Sequence, residues 1–197
     1  MKREQQQQGS FTGPVLLARA LYECRDTREC AQELVNLRGA LDAHARFLLS
    51  HATFDSAAEV AVVAEVLFWI AVQDVAALTE GEGKQLLHRA RGLCTKGIAL
   101  SDRAEETNHL VTARCYITRA AVYLVEGNGV AARRNLDGAI FHAPRIQDPE
   151  SRALAYEKIA YVIEYDGSLL GVPFGNLRAL LLRLRAGFTH WAPRRPA

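Results

Sequence analysis

The stretch that decides the fold runs from Leu110 to Pro144 and reads LVTARCYITRAAVYLVEGNGVAARRNLDGAIFHAP. Gly127-Asn128-Gly129 interrupts it with a short turn signal. Before the turn, Tyr116 and Tyr123 flank Ala120; after it, Ala132, Leu136 and Ala139 recur at spacings of four and three. That is the period of a helix face, not the alternation of a strand. Large residues set opposite small ones allow two helices to approach closely, and Pro144 cannot continue the second. The stretch reads as two helices folded back on each other.

The same signals run outward in both directions. Asp26 with Glu29, Ser56 with Glu59, and Asp102 with Glu105 each place an N-cap acceptor three residues before a carboxylate. Asp148-Pro149 marks another start, because proline is tolerated at the first helical position. Glycines at 81, 83, 127, 129, 167, 171 and 175 supply the stops. These marks predict an all-α chain of about eight helices: 13–25, 27–50, 56–79, 84–100, 104–126, 130–142, 149–166 and 175–190. They pair as four antiparallel hairpins, expected to stack as a solenoid, with a closed helical bundle as the alternative. Six prolines and 49% hydrophobic residues agree with a helical domain able to bury a core. We expect one domain over 13–190, a flexible tail at 1–12 and a short C-terminal tail at 191–197.

The Tyr116–Pro144 pattern resembles a tetratricopeptide repeat (TPR). Tyr116, Ala120, Tyr123, Ala132, Leu136, Ala139 and Pro144 fall where that motif places its large, small and terminating residues. Arg119 breaks the pattern, because a leucine is usual there. Ile159, Ala160, Ile163 and Gly167 repeat the first-helix pattern, and Ala90, Cys94 and Gly97 echo the second. The segment 11–51 shows only the helical period. The resemblance covers about half of the chain, and spacings beyond the ~34-residue repeat make it a divergent, TPR-like case.

The resemblance implies a right-handed solenoid that binds a peptide or protein on the concave surface lined by the first helix of each hairpin. In the third hairpin those residues would be Arg114, Ile117, Ala121, Leu124 and Val125. They are mostly apolar, which suits an amphipathic helix or hydrophobic peptide. The opposing expectation is that the chain's own last helix, or a second copy, covers this face.

Nothing in the sequence nominates a catalytic centre, a cofactor or a metal. Glu80-Gly81-Glu82-Gly83-Lys84-Gln85 departs from a phosphate loop: Leu78 holds the first glycine's place, and Gln85 replaces the Ser or Thr. It reads as a turn between helices. His44 and His51 lie seven apart with Asp42 nearby, and Glu105 and His109 have i,i+4 spacing, but no third ligand is evident. The histidines read as solvated or core residues.

The last segment is uneven in charge. Arg178, Arg183, Arg185, Arg194 and Arg195 face no acid between 178 and 197, and Leu177, Leu180, Leu181, Leu184 and Phe188 add an apolar stripe. Cations at a helix C-terminus suit its dipole. The same helix could also meet a partner through Arg178, Arg183 and Arg185, including nucleic acid. A whole-chain charge of +2 argues against nucleic acid as the main partner.

Ala57–Leu78 is long enough to be weighed as a membrane span, but Glu59, Glu65 and Asp74 make insertion costly. It reads instead as a central helix buried on most sides. The first ten residues lack the apolar run of a signal peptide. Cys24, Cys30, Cys94 and Cys115 form no Cys-x-x-Cys pair and read as small buried residues, a Cys24–Cys30 disulfide being awkward along one helix. The expected address is the cytoplasm. The leading expectation is therefore a non-enzymatic adaptor, chaperone or regulatory module that binds another protein, with homodimerisation left open by apolar end faces. The alternatives are a nucleic-acid-associated regulator using the last helix and an enzyme of helical fold.

Overall fold

The computed structural model describes residues 13–51, 56–73, 80–165 and Leu182. Among them the chain is all-helical: α1 (Gly13–Glu23), α2 (Arg28–Asn36), α3 (Arg38–Ser50), α4 (Ala57–Gln73), α5 (Glu80–Arg103), α6 (His109–Val125), α7 (Gly129–His142) and α8 (Pro149–Tyr165). A 3-10 turn, Ala143–Arg145, follows α7. Contacts divide the chain into two compact units that meet in sequence at Leu93 and Cys94, within α5. No helix among the described residues is long and apolar enough to cross a membrane.

In the first unit α4 is the central element. Every residue from Glu59 to Leu67 is buried, because α1 and α3 both pack on this helix. That environment accounts for a segment apolar on nearly all sides. Its two carboxylates, Glu59 and Glu65, are buried with it. Ser56 starts the helix as expected, its Oγ accepting from the Glu59 N–H at 3.2 Å. Glu59 does not reach back to close the box. Its Oε1 instead accepts a 2.8 Å hydrogen bond from His44 Nε2 of α3. Also on α3, Asp42 is paired with Arg89 of α5.

Several boundaries differ from the sequence reading. The expected helix 27–50 is divided at Leu37, two residues before Gly39, a poor helix former. The cap of α2 is Thr27, whose hydroxyl accepts from the Cys30 N–H at 3.3 Å, and not Asp26. Asp102 lies inside α5, and the cap of α6 is Asn108, accepting from Val111 N–H at 3.2 Å. Glu105 consequently precedes α6, so it shares no helix with His109. The Glu80–Gln85 stretch is the first turn of α5 and not a connecting turn. The start at Asp148-Pro149 is as read, with Asp148 Oδ2 accepting from Ser151 N–H at 2.7 Å. The Ser151 hydroxyl, and after it that backbone bond, hold the Asp148 carboxyl below its ordinary value.

The cysteines also correct the sequence reading. Cys24 and Cys30 form a disulfide with Cα atoms 5.9 Å apart, while Cys94 and Cys115 are buried thiols outside any disulfide. The objection to this pair applied helical spacing across the break between the first two helices. The chain instead turns between Glu23 and Arg28, which brings the two side chains together. The pairing withdraws the cysteine-based ground for a cytoplasmic address. Thiol titration of the denatured chain should find two thiols before reduction and four after. Four before reduction would contradict the bond.

The second unit is built on the hairpin first read from the sequence. α6 and α7 pack along their length, and α8 lies mainly against α6. Ala113, Ile117, Ala120 and Leu124 of α6, Ala132, Leu136 and Ala139 of α7, and Tyr156, Ile159 and Ile163 of α8 share one core. The turn satisfies the end of α6 twice: Gly127 N–H donates to Leu124 O at 2.9 Å and Asn128 N–H to Tyr123 O at 2.8 Å. This is the Schellman arrangement, which requires a left-handed residue at Gly127, here with φ 74°. Gly127→Ala should therefore cost about 1 kcal/mol in a denaturant titration, despite open space around its Cα. An unchanged midpoint would mean that the turn adapts without strain.

Candidate functional site

The α6–α7 hairpin carries an open cleft of about 410 Å³ beside its turn. Arg119 and Tyr123 of α6 line one side, and Asn128, Val130, Ala131, Arg134 and Asn135 line the other. No carboxylate is among these residues.

Arg119 is held from three directions. Its Nε donates to Asn135 Oδ1 at 2.5 Å and its Nη1 to Thr95 Oγ1 at 3.1 Å. The guanidinium also lies over the Tyr116 ring, 5.2 Å from its centroid. Asn135 is 6% exposed and is itself fixed, because its amide donates to Ala131 O at 2.7 Å. A buried asparagine with both ends bonded orients the arginine at little entropic cost on binding. Arg134, in contrast, is exposed. At the turn, the Asn128 side chain accepts from Ala131 N–H at 3.1 Å and so caps α7. The positive end of the α7 dipole adds to the two guanidiniums. The cleft is thus a cationic recess with one rigid and one adaptable arginine, matched to a carboxylate or similar anion.

The residues expected to line an apolar groove do not form one open surface. Ile117 and Leu124 are buried in the core shared with α8, and Ala121 packs against that core. Arg114 is half-buried, and Val125 is 52% exposed. Leu182, from the segment expected as the last helix, is helical, 4% exposed and part of the same core. Arg178, Arg183 and Arg185 lie outside the described residues, as do the 1–12 and 191–197 tails.

Sequence reasoning read Asn128 only as part of the turn and passed over Arg134 and Asn135. One signal for the site was present: Arg119 stands where the TPR pattern has a leucine, and a charge at a packing position needs partners. Searching for a polar residue on the facing helix would have led to Asn135. His44 and His51, weighed as ligands, are bonded elsewhere: His44 to Glu59, and His51 Nδ1 near Ser50 Oγ and Phe47 O. Comparison of the chain with protein-family models, curated proteins and solved structures returns no match to any of them.

Proposed function

We propose that the chain is a protein-interaction module, a divergent TPR-like repeat protein that holds an acidic segment of a partner protein at the α6–α7 hairpin. The observation that carries this reading is the cleft itself, with Arg119 locked by Asn135 and Thr95, Arg134 exposed, and no acid lining the space. The partner surface therefore moves from the apolar face of α6, where Ile117 and Leu124 serve the core, to the polar recess beside the turn. An acidic side chain or a terminal carboxylate fits a fixed guanidinium better than a helix's apolar stripe does. A second copy of the chain is the other partner we propose. A light-scattering mass equal to the 21.8 kDa monomer at micromolar concentrations would count against that part.

The cleft is tested by selecting peptides from a displayed library on the folded chain and on its Arg134→Glu variant. Arg134 is exposed, so the reversal should leave folding intact. We expect wild type to enrich peptides with clustered Asp or Glu, and the variant to bind them about tenfold or more weakly, equivalent to about 1.4 kcal/mol. Acidic peptides held equally well by the variant, or no acidic enrichment at all, would remove the cleft from the function.

A further inference from the structure

A histidine pair closes the far end of the same hairpin. His109 is the first residue of α6 and His142 the last of α7. Their Nδ1 atoms are 3.0 Å apart, and both rings are half-buried. Tyr116 stacks on His142 with centroids 5.7 Å apart, and Phe141 meets it edge-on at 5.1 Å. The His142 ring is thereby held on two sides. Burial, together with His109 and Arg145, keeps its pKa below the ordinary imidazole value, while Asp102 pulls the other way.

From this geometry we infer that His109 and His142 form a two-histidine site for a divalent transition metal of Cu(II) or Ni(II) type. With metal–nitrogen bonds of about 2.0–2.1 Å, nitrogens at the observed separation subtend about 90–97° at an ion. That is the angle between neighbouring ligands in a square-planar or octahedral shell. Imidazole ligands also favour Cu(II) over zinc in the general affinity order of divalent metals. In the free protein, one Nδ1 donates its proton to the other. On binding, the donating ring changes to its Nε2–H tautomer, both Nδ1 lone pairs turn to the ion, and the ion releases two waters. No proton leaves the pair. Among the described residues no third His, Cys, Asp or Glu completes a metal-binding group, so water fills the remaining positions. Asp102, which acts electrostatically on His142, supplies a nearby negative charge.

The test uses the full chain and Cu(II) alone, with binding followed by calorimetry and the ligand set by electron paramagnetic resonance. Wild type should bind one ion with two imidazole nitrogens in the equatorial plane, and at least tenfold more tightly than Zn(II). His109→Asn and His142→Asn should each weaken Cu(II) tenfold or more and remove one nitrogen from the spectrum, whereas His51→Asn should change neither. Circular dichroism establishes that each variant is folded, and the two independent variants keep the test decisive if one is not. Affinity within twofold of wild type in either folded variant, or an unchanged spectrum, overturns the assignment.

Discussion

Replacing His44 by leucine is expected to destabilise the first unit by about 3–5 kcal/mol, the usual cost of leaving one member of a buried polar pair alone. Glu59 has no exposed surface, and its Oε2 has no hydrogen-bond partner among the described residues. Its Oε1 depends on the His44 bond of 2.8 Å. Taking away the imidazole leaves the buried Glu59 side chain without its one hydrogen bond among the described residues, on a helix where Val60 and Val63 are buried as well. The paired replacement His44→Leu with Glu59→Met should recover most of the loss, because removing both polar partners also removes the demand for a bond. Urea titration followed by circular dichroism separates the cases. A single-variant cost below about 1 kcal/mol would mean that Glu59 finds another partner or reaches water.

Gly138→Ala should cost about 2 kcal/mol, although alanine is favoured over glycine by about 1 kcal/mol in a helix interior. A Cβ at this position would lie 2.8 Å from Tyr116 Cε1 and 2.9 Å from Cδ1. The ring has little room to retreat, with His142 stacked on it and the Arg119 guanidinium above. Clash therefore outweighs propensity. Gly39→Ala provides the control: nothing lies within 4 Å of that Cβ, so it should be neutral or slightly stabilising. Equal thermal midpoints for the two variants would show that α6 and α7 do not approach so closely.

The second unit was more legible in the sequence than the first. Gly127 and Asn128 mark a turn by local chemistry alone, and the core positions Ala132, Leu136 and Ala139 follow from the helical period. Both boundaries of α7 and the start of α8 accordingly fall within a residue of the reading. Where capping depended on choosing among polar residues one to six positions apart, Asp26 or Thr27, Asp102 or Asn108, the sequence held no deciding information. Cap choice depends on where the previous helix stops, which tertiary packing fixes.

The site was harder to read because it joins residues distant in sequence. Arg119 and Asn135 are sixteen positions apart, and only the fold makes them partners. The face of α6 taken for a groove was a true apolar face. A period of three and four marks burial without saying whether the chain itself or another molecule does the burying. Leu124 and Ile117 are covered from within. The Cys24–Cys30 bond was missed for a related reason, since helical spacing was applied across a break in the helix.

Asn128 has two duties within one residue: its backbone N–H closes α6 on Tyr123 O, and its side chain opens α7 at Ala131 N–H. The end of one helix and the start of the next are therefore counted from the same atom set. The turn works as a ruler. Adding or deleting a single residue there would rotate α7 by about 100° about its axis relative to α6. Gly138 would leave Tyr116, and Asn135 would leave Arg119. Length at this position is under tighter constraint than residue identity, so a functional descendant of this chain can change many side chains on the hairpin but not the number of residues in its turn.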